Sequence, residues 1–189
     1  VGTDNGLYVS LNSGGSWEAF SKNLPNVAVH DLVIQPTAKH LIVGTHGRSL
    51  YKANIAPLQK MNAAVLAKDT HVFAINTIRK SENWGRSWSQ WRKANTPEVH
   101  IPFYSNAAKK RTITIYLGDV KVNSMEVAAD KGFNEAIFDV SFSKKGLKRY
   151  QTVYKDFELK ESKNGVFYLP KGKYTVKIGD SESTFEVKE

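Results

Sequence analysis

Cysteine is absent from the 189 residues. That absence excludes disulfides, thiolate zinc sites and cysteine nucleophiles together, while leaving the compartment open. Long apolar runs are missing too. The longest, such as Ala63–Ala67 and Leu41–Val43, are core-sized, whereas a membrane-spanning helix needs about 18 or more consecutive apolar residues. Acidic residues are scarce in the middle of the chain: residues 60–111 carry a net charge of +7, against +1 each for residues 1–59 and 112–189 and +9 overall. No RNA-recognition, zinc-finger or helix-turn-helix signature accompanies Lys60, Lys68, Arg79, Lys80, Arg86, Arg92, Lys93 or the triplet Lys109-Lys110-Arg111. The basic stretch therefore reads first as a solvated surface, with acidic glycan or nucleic acid behind it and nucleic acid the weakest choice. What is present is an ordinary folded composition, 41% hydrophobic and 24% charged, sized for one large domain or two small ones.

The strongest signal is an internal repeat. Val1-Gly2-Thr3-Asp4-Asn5-Gly6-Leu7-Tyr8 returns as Val43-Gly44-Thr45-His46-Gly47-Arg48-Ser49-Leu50-Tyr51, offset by 42 residues at Val-Gly-Thr and 43 at Leu-Tyr. A period of roughly 40–45 residues, built of short strands and glycine turns, is the signature of a β-propeller blade. Each copy reads as strand, hairpin turn, strand. Val29–Gln35, Leu41–Thr45 and Ser49–Ile55 then read as three successive strands of one blade. About six strands cannot close a propeller of at least four blades, so residues 1–56 are expected to be the terminal blade segment of a longer protein. Its open edge is expected to favour upstream blades of the same protein, or self-association.

Between the two copies lies Ser10-Leu11-Asn12-Ser13-Gly14-Gly15-Ser16-Trp17. It resembles the Asp-box, or BNR-repeat, pattern Ser-x-Asp-x-Gly-x-Thr-Trp, with Asn12 in place of the usual Asp. In such a turn the side-chain oxygen of Asn12 bonds local backbone, glycine supplies positive φ and Trp17 packs beneath. The roles of Ser10, Asn12, Gly14, Ser16 and Trp17 are structural in this reading.

Residues 57–97 read as a linker. Pro57–Asp69, with Leu58, Met61, Ala64, Val65 and Ala67 near helical spacing, suggests a short helix. Ser81-Glu82-Asn83-Trp84-Gly85-Arg86-Ser87-Trp88 echoes the Asp-box pattern, but no blade-like strand series follows, so the echo reads as chance. Trp84, Trp88 and Trp91 beside Arg86 and Arg92 suit a sugar-binding or single-stranded nucleic-acid surface, and a carbohydrate module would require the three rings to be exposed and coplanar. The competing reading is that the rings fill an interface.

Residues 98–189 alternate apolar and polar positions over about seven short segments, from Val99–Tyr104 through Ser183–Val187, with turns at Gly118-Asp119, Pro170–Gly172 and Gly179-Asp180. That spacing suits an immunoglobulin- or fibronectin-III-like sandwich. Lys144–Gly165 is a charged insertion, either helical or a long loop. The expected class is all-β: a partial β-propeller, a short linker helix and an Ig-like β-sandwich.

Leu41 to Tyr51 resembles the last-blade sequence of large secreted bacterial BNR-repeat proteins, which are similar in fold to sortilin-type propellers and often labelled glycosyl hydrolases. Gly132-Phe133-Asn134-Glu135-Ala136-Ile137-Phe138-Asp139 and Pro170-Lys171-Gly172-Lys173-Tyr174-Thr175-Val176 are similar to the Gly-(Leu/Phe)-Asn-x-x-x-(Trp/Phe)-Asp and Pro-x-Gly-x-Tyr-x-Val motifs of the Ig-like domain that follows the propeller there. The resemblance implies a secreted, periplasmic or cell-surface protein, and its motifs specify fold more than chemistry.

Catalytic constellations are thin. Residues 1–56 offer Asp4, Glu18 and Asp31 as acids and Arg48 as the one arginine, whereas glycoside hydrolysis takes two facing carboxylates. His46 and Arg48 sit in a turn and could line a propeller mouth, but read first as turn residues. His30, His40, His46, His71 and His100 lack metal-ligand spacing, and Gly44 to Arg48 lacks phosphate-loop spacing. No catalytic residue, metal or cofactor is expected. The expected role is structural capping with glycan or protein binding; the alternative is a piece of a glycoside hydrolase whose carboxylates lie in upstream blades.

Overall fold

The computed structural model describes residues 1–20, 24–157 and 159–189. The chain is mostly β, with 44% strand against 9% helix, and divides into two compact units, Val1–Ala64 and Val65–Glu189.

In the first unit, β1 (Gly2–Thr3), β2 (Gly6–Val9) and β3 (Glu18–Ala19) form one three-stranded antiparallel sheet. A second holds β4 (Val29–Gln35), β5 (His40–Thr45) and β6 (Leu50–Asn54) in that order. The sequence repeat is also a repeat of hydrogen bonds. Gly2 faces Leu7 across β1–β2, and Gly44 faces Leu50 across β5–β6. Thr3 Oγ1 donates to the Gly6 carbonyl at 3.1 Å, and Thr45 Oγ1 donates to the Ser49 carbonyl at 2.6 Å. Gly6 and Ser49 both adopt positive φ, 117° and 79°. Leu7, Val29 and Val43 are buried at the centre of this unit, with Phe20, Leu24, Leu32, Leu41 and Tyr51 against them. Gly2 permits the packing, since a Cβ there would meet Val29 Cγ1 at 2.6 Å.

The single helix expected over Pro57–Asp69 is instead two short pieces, a 3-10 turn at Leu58–Lys60 and α1 (Ala63–Leu66). Met61, at ψ 87°, leaves helical space between them. Pieces this short gain little from helical hydrogen bonding alone.

The second unit has two sheets. β11 (Val120–Ala129), β10 (Lys109–Leu117), β13 (Gly172–Ile178), β14 (Ser181–Lys188) and β8 (Ile78–Arg79) form one, in that order, with β8 parallel to β14. β12 (Gly132–Phe138), β9 (Val99–Ser105) and β7 (Thr70–Val72) form the other. Both contribute to one apolar core, with Ile101 and Phe103 from β9, Ile113 and Ile115 from β10, and Tyr174 and Val176 from β13. Val72, Ile75 and Trp84, read from sequence as linker residues, belong to this core. Thr70 Oγ1 donates to the Ile178 carbonyl at 3.0 Å, and Val72 N–H donates to Ser181 Oγ at 2.9 Å, tying the small sheet to the β13–β14 hairpin.

The motif residues of this half have local work. Asn134, 4% exposed, accepts from the Asp130 N–H at 2.9 Å and donates to the Asp130 and Gly132 carbonyls. It thereby closes the β11–β12 turn. The buried Tyr174 hydroxyl donates to the Pro170 carbonyl at 2.6 Å, and burial pushes its phenol well above the ordinary range.

The charged insertion begins with α2 (Lys144–Val153), whose N-cap Ser143 accepts from the Gly146 N–H through its hydroxyl. Glu158, within that insertion, lies outside the described residues. The strand expected at Val166–Leu169 is reduced to one bridge, Ser141 with Tyr168. Val140 turns to φ 58° on one side, and Pro170, lacking an N–H, follows on the other, so the pairing stops.

Candidate functional site

The Ser10–Trp17 turn is stapled by its own side chains. Ser10 Oγ accepts from the Gly14 N–H at 2.7 Å, Asn12 Oδ1 accepts from the Ser16 N–H at 2.8 Å, and Asn12 Nδ2 donates to Ser16 Oγ at 2.9 Å. Gly14 supplies φ 92°. Asn12 thus does what an aspartate oxygen would do, and its amide adds a donor. The expectation for Trp17 is met only in part: its ring lies over the turn, 3.9 Å from where a Cβ on Gly14 would sit, but the residue is 52% exposed rather than buried.

His46 and Arg48 are exposed in the β5–β6 turn. The His46 ring stacks on His30 at 5.0 Å between centroids, and the main-chain N–H of His46 donates to the Ala28 carbonyl. Among the described residues no group of three or more His, Asp or Glu side chains could hold a metal. In the basic stretch, Lys109 and Arg111 are both engaged by Asp69, so the lysine-arginine triplet is not a free cationic face.

The tryptophan cluster is divided by the fold. Trp84 is buried at 8% exposure and packs edge-on to Tyr168 with 5.7 Å between centroids. Trp88 and Trp91 are 98% and 87% exposed. The three rings therefore do not form one flat platform: Trp84 is an anchor, and the other two project from the loop it anchors.

That loop is held at its neck by a reciprocal backbone pair. The Gly85 N–H donates to the Asn95 carbonyl and the Asn95 N–H to the Arg86 carbonyl, each at 2.8 Å. Gly85 sits at φ 77°, and a Cβ there would meet Asn164 Oδ1 at 2.5 Å, so glycine is required both by conformation and by space. Ser87 Oγ shares its one proton between the Ser89 and Arg92 carbonyls, at 2.5 and 2.6 Å, which folds the tip back on itself. The Ser81–Trp88 echo does not repeat the bonds of the first turn. Asn83 N–H donates to Ser81 Oγ at 3.2 Å, but among the described residues the Asn83 side chain does not staple Ser87 as Asn12 staples Ser16.

The loop creates an open cavity of about 420 Å³ lined by Asn83, Arg86, Ser87, Trp88 and Asn95. Its chemistry is an exposed aromatic face, two amides, a hydroxyl and a guanidinium. Flat apolar C–H faces stack on an indole, and hydroxyl groups are matched by side-chain amides that both donate and accept. Trp91 does not line the cavity. Sequence reasoning found Trp88 and Arg86 but missed Asn83, Ser87 and Asn95. The Ser-Trp echo marked the first two of these, whereas Asn95 is brought in by backbone pairing across the loop neck and carries no local signal.

A second open cavity, about 380 Å³, is lined by Lys121, Ser124, Ser143, Lys144, Lys145 and Arg149. It has four cations and no aromatic ring, so it lacks a stacking surface. No protein-family model matches the chain, and no curated protein matches it significantly.

Proposed function

We propose that the chain is a non-catalytic part of a BNR-repeat propeller protein, one that ends the propeller and binds glycan through the Trp88 cavity. The first unit supplies strands of two successive blades, and the second is an Ig-like sandwich that presents the binding loop. The parent is then a secreted, periplasmic or cell-surface protein.

Support for the propeller comes from the doubled bonding pattern. The Thr3–Gly6 and Thr45–Ser49 bonds and the Gly2–Leu7 and Gly44–Leu50 pairs recur at the sequence period. β2 carries β3 on its outer side, while its counterpart β6 stands at a sheet edge. The edge of β6 is where a strand from the upstream blades would add. The jobs of Asn134 and Tyr174 support the sandwich reading, because Asn134 closes the β11–β12 turn and Tyr174 ties the entry of β13.

One observation carries the binding role: Trp88 stands 98% exposed at the wall of a cavity otherwise made of Asn83, Arg86, Ser87 and Asn95. An indole this bare contributes little to folding, and the polar groups beside it leave its face open to a ligand that can stack and hydrogen-bond at once. The test is glycan-array binding by the chain and by Trp88→Ala, with folding followed by circular dichroism. Binding by the parent that is lost in a folded Trp88→Ala supports the reading. Absence of binding by the parent overturns it.

A further inference from the structure

We infer that the sugar taken by the Trp88 cavity is acidic, a uronate-type unit whose carboxylate is held by Arg86. The inference rests on the glycan reading of this cavity and adds the charge of the ligand.

Three observations lead there. Arg86 lines the cavity and is exposed, and among the described residues it makes no salt bridge. From residue 83 to residue 97 the chain has no Asp or Glu, but it has Arg86, Arg92 and Lys93. Elsewhere in the same unit several cations are engaged, Lys109 and Arg111 by Asp69, Lys171 by Glu189 and Lys177 by Glu182, whereas Lys121, Lys144, Lys145 and Arg149 beside α2 make no salt bridge among the described residues but have no ring beside them. What sets the loop apart is that its unpaired charge stands beside a stacking ring.

Neutral sugars need none of that charge. A guanidinium with free donors at the rim of a cavity is a receptor for a planar carboxylate, which it takes in a two-point bond. The remaining groups then divide the work. Trp88 supports the ring face of the sugar. Among the described residues no bond occupies the Asn83 side-chain amide, which is left to pair with sugar hydroxyls. The one proton of the Ser87 hydroxyl is held between the Ser89 and Arg92 carbonyls, so toward a ligand the hydroxyl acts as an acceptor.

The neck bonds of Asn95 with Gly85 and Arg86 keep Arg86 beside Trp88. The guanidinium and the indole consequently address one ligand, because only one residue separates them in a loop stapled at both ends. Arg92 and Lys93 lie outside the cavity lining and contribute long-range attraction, which salt screens over about 10 Å at 0.1 M.

The experiment is calorimetric titration of the full chain with a hexagalacturonate and with its fully methyl-esterified, uncharged counterpart, at about 50 mM and about 500 mM salt. Arg86→Gln and Trp88→Ala are titrated beside the parent, and circular dichroism checks that each is folded. The expected result is at least tenfold tighter binding of the acid than of the ester at low salt, a ratio that shrinks at high salt. Arg86→Gln should bring the ratio close to one, and Trp88→Ala should weaken both ligands. Equal binding of acid and ester overturns the inference and leaves the glycan reading standing. Binding of neither overturns the inference, and the glycan reading falls with it only if the array also shows no binding. An acid preference that survives Arg86→Gln overturns the assignment to Arg86.

Discussion

Asp69 closes over the Arg111 guanidinium with both its carboxylate and its own main-chain carbonyl, the latter accepting at 2.9 Å. Arg111 is 7% exposed, and Ser105 Oγ accepts from it at 2.9 and 3.1 Å. The arginine is therefore satisfied inside the fold, and the exposed carboxylate is what keeps it so. Arg111, with Lys109 second, holds the Asp69 carboxyl down at about 2 against an ordinary 3.8. A folded-state value below the unfolded one means that the contribution is full above about pH 4 and disappears as pH falls toward 2. Urea midpoints measured from pH 6 to pH 2 should fall across that window in the parent and fall less in Asp69→Asn. Parallel curves would show that the pair contributes no acid sensitivity.

Gly146 should not tolerate a side chain. A Cβ at this position would overlap the Val122 carbonyl oxygen, because the first turn of α2 lies directly on β11. Helix propensity alone favours Gly146→Ala by about 1 kcal/mol. Overlap with backbone cannot relax cheaply, so a net loss of about 2 kcal/mol or more is expected, at the upper end of overpacking costs. Chemical denaturation decides the sign, and a variant as stable as the parent would contradict the close packing.

The two repeat turns make opposite demands on the same substitution. Ser49 holds a left-handed φ of 79° where its counterpart Gly6 holds 117°. Ser49→Gly should cost no stability, since relief of about 1 kcal/mol of strain offsets the added freedom of the unfolded chain. Gly6→Ser should destabilise by about 1–2 kcal/mol. The melting behaviour of the two variants should therefore diverge, and equal losses would argue against equivalence of the turns.

Trp84 and Trp88 should separate stability from binding. Removing the buried ring in Trp84→Ala is expected to cost about 3–5 kcal/mol, through the empty space left against Tyr168. Trp88→Ala should stay within about 0.5 kcal/mol of the parent, as an exposed side chain does. Thermal melts of both variants test the division, and a strong loss at Trp88 would mean that its ring is packed in solution.

Much of the β architecture was legible in the sequence. The offset repeat marked both hairpins of the first unit, because their turns need glycine or a tolerated substitute, while the facing pairs came only from the structure. The hairpin turns at Gly118 and Gly179 were legible for the same reason, with φ of 55° and 56°. The 57–97 stretch was not, since its apolar residues are anchors spaced by tertiary contacts and follow no helix or strand period. Trp17 and Trp84 show the difficulty best. The Asp-box pattern calls for burial of Trp17, which is half exposed, while Trp84, at a variable position of the echo, is the ring that is buried. The cavity was half legible: Arg86 and Trp88 stood out by type, but Asn83 and Asn95 became partners only when the loop neck closed.

The most direct measurement on the central claim is an ¹H–¹⁵N correlation spectrum of the chain titrated with the glycan that it binds best. The account expects shifts confined to the amides of residues 83–95, the Trp88 indole N–H and the Asn83 and Asn95 side chains, with Trp84 perturbed less. Shifts centred on the Ser10–Trp17 turn, the His46–Arg48 turn or the cavity beside α2, with the Trp88 indole unmoved, would contradict it.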